Sequence, residues 1–128
     1  MRRECAATVG EMMATDTEFI AAADRTLAAI GEALDRALAD SDIDLDWSFT
    51  DGILEIECED GSKLIVNRHV FNRELWVAAR SGGFHYRPQG GVWRDTRSGD
   101  ELSQVLATLL ATQAGLTVVL PVLDAPDL

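Results

Sequence analysis

An Asp-Gly pair at residues 51 and 52 separates two stretches in which apolar and polar residues alternate, "DIDLDWSFT" before it and "ILEIECED" after it. Alternation with a period of two is typical of β-strands, and Asp-Gly between two such runs favours a two-residue hairpin turn. Closing that turn pairs Thr50 with Ile53, and it sets Trp47 against Ile56 on the apolar face. A slip by one residue would expose this whole face, so the pattern predicts one register.

The same register gives the hairpin an acidic side. It sets Asp46 opposite Glu57 and Asp44 opposite Glu59. Like charges directly opposite each other destabilise an antiparallel sheet, by up to about 1 kcal/mol per pair. Two such pairs in succession therefore predict a surface that binds cations.

Apolar residues recur at helical spacing in two flanking stretches, 19–38 and 102–110. Each is preceded by the Ser/Thr-x-x-Glu spacing of a capping box, starting at Thr15 and at Ser98. Between the stretches, Gly-Gly pairs at 82–83 and 90–91 mark further turns. The order predicts an α+β fold, a two-layer sandwich with two helices packed on one face of an antiparallel sheet of about six strands.

The length of 128 residues fits one domain with a single core. We expect a disordered N-terminal extension over 1–14, the domain over 15–120 and a C-terminal tail over 121–128, with part of the apolar end packing between the helices. No run is apolar enough to span a membrane, and the start lacks the core of a secretory signal. The chain is therefore expected to be cytoplasmic, with Cys58 a buried, inert thiol.

The negative charge is concentrated in one third of the chain. The net charge is −11, and residues 16–60 hold 14 acids against Arg25 and Arg36, which gives −12 for that segment. Such a field disfavours nucleic acid and anionic membranes, and it favours cations or a basic protein surface. The alternative is a solvated face that serves solubility.

Further carboxylates lie along the first helix and the link to the hairpin. We define the acidic ridge as the eight candidate metal-binding residues Glu32, Asp35, Asp40, Asp42, Asp44, Asp46, Glu57 and Glu59. These ligands are oxygen-only and dispersed, and the chain contains neither a 12-residue calcium loop nor a His/Cys set with zinc spacing. The ridge is expected to bind hard or borderline cations weakly and exchangeably.

The stretch "RELWVAA" places Trp76 on the face away from the core, and alternation in "LIVNR" places Asn67 on that same face. Trp76 is open to two interpretations, a cover lying flat on its sheet neighbours or an interface anchor. His69 and His85 are interpreted as surface histidines, because neither has a nucleophile or carboxylate at telling spacing. With no phosphate-binding loop, nothing here predicts an enzyme.

In order along the chain, "DSDID", "GILEIECEDGSKLIVNR", "LWVAA", "GGFHY" and "WRDTRSG" resemble the bacterial branch of the frataxin family, from about Asp16 to Val119. The resemblance implies a protein of iron-sulfur cluster assembly that binds ferrous and ferric iron on the acidic ridge and docks on the cysteine desulfurase, with the scaffold protein as a further partner. By position, Asn67 and Trp76 match the family's partner-binding residues on the sheet. Gly31, Arg36 and Leu38 depart from its acid-rich helix, whereas Glu55 and Glu57 add acids on a strand.

Three functional hypotheses follow. The first is a non-enzymatic, mostly monomeric iron-binding regulator of the desulfurase, whose iron is weakly held. The second is a ferroxidase that oxidises ferrous iron at the ridge and stores it. The third is an acidic adaptor whose metal binding is incidental.

Overall fold

The computed structural model describes the backbone of residues 2–126 and the side chains of residues 16–126. A long helix is followed by six strands, a second helix and a single π-helical turn over Leu110–Ala114. The elements are α1 (Arg2–Ala39), β1 (Asp46–Thr50), β2 (Ile53–Glu57), β3 (Lys63–His69), β4 (Glu74–Ala79), β5 (Gly82–Gln89), β6 (Val92–Asp95) and α2 (Leu102–Leu109).

The six strands form one antiparallel meander in the order β1-β2-β3-β4-β5-β6. The register of the first hairpin is confirmed, because Thr50 pairs with Ile53 and Trp47 with Ile56. Asp51 and Gly52 both have positive φ, 51° and 75°, which is the backbone of the type I′ turn that Asp-Gly favours. Local turn chemistry and the hydrophobic pattern agree on this register.

Both helices pack on the same face of the sheet, and the predicted α+β sandwich is confirmed. The fully buried core joins the apolar stripe of α1, the inward residues of the strands and α2, and includes Phe19, Leu27, Ile30, Leu34, Leu54, Ile56, Leu64, Leu75, Tyr86, Trp93, Leu102 and Leu106. We call the other side of the sheet the open face.

The helix α1 is assigned from Arg2, so its backbone runs through the stretch for which the sequence predicts disorder. The side chains before residue 16 lie outside the described part, and the boundaries of the extension, the domain and the tail stay predictions. Thr15 lies within α1, so it does not cap the start of the helix.

The predicted capping box of α2 is wrong. Glu101 precedes the helix and makes no side-chain cap hydrogen bond. Asp95 Oδ1 accepts the backbone N–H groups of Arg97 and Ser98, and the Ser98 hydroxyl accepts from the backbone N–H of Asp100 at 3.2 Å. The Ser98 hydroxyl, which a capping box would use at the start of the helix, therefore belongs to a tight turn before the helix. Gly115 ends the helical segment as expected, with φ 67°.

The apolar C-terminal stretch packs against the domain, with Leu116, Val118 and Leu123 buried. The carbonyl of Asp124 accepts a hydrogen bond from the Thr26 hydroxyl of α1 at 3.3 Å, and Asp124 also forms a bridge with Val92 of β6. The tail therefore joins α1 to an edge strand of the sheet.

Candidate functional site

The hairpin confirms one of the two predicted carboxylate pairs. Asp46 lies directly opposite Glu57, and both are exposed. Asp44 and Glu59 lie outside the strands, and Glu59 Oε1 accepts a hydrogen bond from the backbone N–H of Asp44 at 3.4 Å. The second cross-strand pair is wrong because β1 begins only at Asp46, although side chains 42–47 keep their alternation between exposed and more buried positions.

Trp47 fastens α1 to the hairpin. Its indole Nε1 donates to Asp35 Oδ1 at 2.8 Å, which engages one oxygen of a predicted iron ligand. The ring packs on Gly31 so closely that a Cβ atom there would lie 2.5 Å from the nearest ring carbon. The glycine in the ridge helix is therefore explained by packing, since a side chain at this position would occupy the place of the indole.

Basic side chains pair with two carboxylates that lie beside the ridge, Glu55 and Asp60. Lys63 pairs with Glu57 across β2 and β3, and its Nζ lies 3.2 Å from Glu55 Oε2. In the next turn, hydrogen bonds from Ser62 and the guanidinium of Arg80 hold the pKa of Asp60 well below its usual range. The strand side of the ridge is thus less negative than the count of acids suggests.

The remaining ridge residues, Glu32, Asp40 and Asp42, are exposed. Among the side chains of residues 16–126, no three His, Cys, Asp or Glu converge closely enough to hold a metal ion. Oxygen ligands that are solvated and dispersed suit a hard cation that exchanges rapidly. Within this part of the chain, the ridge is therefore an open surface of separate carboxylates and not a closed metal site.

The open face carries a stack of three rings at its centre. Trp76 lies between His69 and His85, with ring centroids 3.9 and 4.3 Å away and interplanar angles of 9° and 2°. The prediction of two surface histidines is confirmed for His85, which is exposed although it lies against a carboxylate. His69 departs from it, because it is only partly exposed and its buried Nδ1 has no hydrogen-bond partner among residues 16–126. Asn67 pairs with Trp76 across β3 and β4, so these two candidates are brought together.

The carboxylate beside the stack belongs to Glu74, whose side chain is only 5% exposed. One oxygen accepts from Trp76 Nε1 at 2.7 Å and lies 3.6 Å from His85 Nδ1, and the other accepts from Arg87 at 2.7 Å. Burial alone would raise the pKa of Glu74, but these donors outweigh it and lower the pKa from its ordinary value. Glu74 is therefore a charged anchor that fixes Trp76 and Arg87.

Comparison with known proteins identifies the family. The model of the frataxin-like domain matches residues 12–116. The chain belongs to the frataxin family. The iron-sulfur cluster assembly protein CyaY of Dechloromonas aromatica is 51% identical over 105 residues, covering 82% of this chain and 97% of the relative. The CyaY protein of Cupriavidus metallidurans is 42% identical, covering 83% of this chain and 96% of the relative. These matches confirm the bacterial, CyaY branch.

Solved frataxins have the same fold. Frataxin from Psychromonas ingrahamii superposes with a TM-score of 0.67 at 33% identity, covering 80% of this chain and 94% of that one. Trimeric frataxin from Saccharomyces cerevisiae, complexed with ferrous iron, gives 0.65 at 22% identity, covering 73% and 86%. Of the helices in the described part of this frataxin, none is long and apolar enough to cross a membrane.

Proposed function

We propose that this chain binds iron on the acidic ridge during iron-sulfur cluster assembly and regulates the cysteine desulfurase by docking the ridge on a basic surface of that enzyme. The CyaY relatives are named for cluster assembly, and a yeast family member has been solved with ferrous iron. The observation that carries the proposal is the exposed pair Asp46 and Glu57, two carboxylates set directly opposite each other.

A cation can stabilise such a pair of carboxylates. Without a counter-ion the two carboxylates repel, at a cost of at most about 1 kcal/mol. A cation between them removes the repulsion and gains charge-assisted contacts. The same negative field attracts a basic protein, so iron and the desulfurase both use this part of the ridge.

Replacing Asp46 with Asn and Glu57 with Gln should weaken ferrous iron binding and stabilise the iron-free protein, the latter by at most about 1 kcal/mol. The stability gain should shrink as salt screens the repulsion, and Lys63 beside Glu57 already limits it. Anaerobic calorimetry with ferrous iron and denaturant melts at low and high salt measure both effects.

The matched control replaces Glu18 with Gln and Asp100 with Asn. These residues are exposed and lie on α1 and in the loop before α2, so the net charge changes equally without removing an opposed pair. Equal effects of the two double variants would show that overall charge, and not the paired carboxylates, governs iron binding.

On the open face, we propose Asn67 and Trp76 as partner-binding residues. Trp76→Ala should weaken desulfurase binding by about 2 kcal/mol, the size of a hot-spot residue, and leave iron binding unchanged. Calorimetry with the desulfurase, alone and with the scaffold protein, measures this. Unchanged affinity in both titrations would make Trp76 only the centre of a structural stack.

The proposed binder is not an enzyme, acts mostly as a monomer and works in the cytoplasm. Oxygen consumption during aerobic addition of ferrous iron separates it from the ferroxidase alternative. Oxygen uptake that stops once it matches the amount of bound iron supports a binder, whereas continued oxygen turnover supports an enzyme. Desulfurase binding that needs no iron would favour the acidic adaptor.

A further inference from the structure

The open face carries a second charged feature at the sheet edge far from β1. Arg87 of β5 lies directly opposite Arg94 of β6. Both residues belong to the open face, because their neighbours Tyr86 and Trp93 are fully buried in the core. Like charges in this position repel, so this pair is the positive counterpart of Asp46 and Glu57.

The protein itself neutralises this positive charge only in part, through the ion pair between Arg87 and the buried Glu74. Arg87 contacts Glu74, yet its side chain is 63% exposed. Arg94 donates to the carbonyl of Gly99 at 3.1 Å, which leaves most of its five N–H donors for another acceptor. Within residues 16–126, Arg94 takes part in no ion pair.

Two carboxylates lie near Arg94 in the chain fold. Asp95, its chain neighbour, accepts backbone N–H groups with Oδ1. Glu101 forms a β-bridge with Arg94, and its Oε1 accepts a hydrogen bond from Ser103.

Glu74 also gives this surface a defined geometry. Its two oxygens hold Arg87 and the indole of Trp76 at 2.7 Å each. Arginine and tryptophan are enriched among residues that dominate binding energy, and an arginine fork matches the geometry of a carboxylate. A side chain fixed before binding loses less entropy when a partner arrives.

We propose that the arginine strip, defined as Arg87 and Arg94, docks an acidic segment of a protein partner, with Trp76 and His85 beside it. The chain's net charge of −11 opposes the approach of an anion over long distances. At physiological salt, screening over about 8 Å weakens this long-range repulsion. Contacts at short range with the two guanidinium groups then decide whether an anion binds. This site does not depend on iron at the ridge, and it selects a partner of opposite charge to the one that the ridge selects.

The test uses an octaglutamate peptide as the probe, titrated into the isotope-labelled protein at about 0.15 M salt, where screening is physiological. Amide shifts should be confined to the strip and its neighbours on β4. Arg87→Glu with Arg94→Glu should lower the affinity by about tenfold or more, since like charges brought together at an interface cost free energy. Asp46→Asn with Glu57→Gln should still bind the peptide.

The control variant is Arg25→Glu with Arg36→Glu, two exposed positions on α1 that change the net charge equally. An equal loss of affinity in this control would overturn the proposal, because binding would then follow net charge alone. Inorganic phosphate that reproduces the shifts with equal affinity would also overturn it, in favour of a general anion site. If the strip variant does not fold, Arg94→Gln leaves the contact between Arg87 and Glu74 in place and should still weaken binding.

Discussion

Replacing Gly31 with alanine should destabilise the domain, although the same change usually stabilises a helix by about 1 kcal/mol. The new Cβ would lie 2.5 Å and 2.7 Å from two carbons of the Trp47 ring. The indole would have to move away and would lose its hydrogen bond to Asp35. Overpacking of this kind costs about 1–3 kcal/mol, so we expect a net loss of about 1–2 kcal/mol in denaturant melts.

A double-mutant cycle with Trp47→Leu isolates the cause. In the Trp47→Leu background the new Cβ of Gly31→Ala contacts no ring. The change in the free energy of unfolding should then reverse to a gain of up to about 1 kcal/mol from helix propensity. The exposed Ala28→Gly variant on the same helix reports the propensity difference alone. Stabilisation by Gly31→Ala in the wild-type background would show that Trp47 does not fasten α1 to the hairpin.

The first hairpin could be predicted from the sequence because its determinants are local. Alternation with a period of two and the Asp51-Gly52 turn both act within about ten residues, and they agree on the register that the structure shows. The alternation predicts a start of β1 that is too early, because it continues through residues 42–45, where the chain forms no strand. The period of a sequence pattern indicates which side chains are buried, but it does not indicate which residues pair with a neighbouring strand.

The sequence does not predict the ring stack, because the Gly82-Gly83 pair indicates a turn two residues too late, and both glycines lie within β5. A two-residue turn at Arg80-Ser81 pairs Ala79 with Gly82, and extending that register places His85 against Trp76. The position of His69 beside Trp76 depends on the register between β3 and β4. These strands are joined by a longer turn that has no clear sequence signature. The anchoring by Glu74 brings together groups of β4 and β5. The balance between its burial and its donors is not visible in the spacing of any residues.

Charge and local register predict the ridge, but they do not reveal which oxygens are already engaged. Asp35 accepts from Trp47, and Glu59 accepts from the backbone of Asp44. Beside the ridge, Asp60 accepts from Ser62 and Arg80. Each of these contacts depends on where the hairpin meets α1 or the next turn. The pair Asp46 and Glu57 was predictable because it depends only on the hairpin register.

Glu74→Gln should cost about 2 kcal/mol at neutral pH, because hydrogen bonds to a charged group contribute about 1.5–3 kcal/mol each. Glutamine keeps the shape of the side chain, but its amide nitrogen must face one of the donors that now bind the two carboxylate oxygens. Denaturant melts measure the loss, and a shifted indole N–H resonance of Trp76 would locate it on the open face. Glu55→Gln, which removes the half-exposed contact with Lys63, is the control and should change stability much less.

The pH dependence gives this prediction its sharpest test. The folded protein lowers the pKa of Glu74, so the unfolded chain takes up a proton first as the solution is acidified. The stability that Glu74 contributes is complete above the ordinary carboxylate range, near pH 4.3 for glutamate, and is lost as pH falls through the lower, folded pKa. The gap in stability between wild type and Glu74→Gln should therefore be present above the ordinary carboxylate range and close in acid. A gap that stays constant in acid would show that Glu74 acts through packing and not through the charge that fixes Trp76 and Arg87.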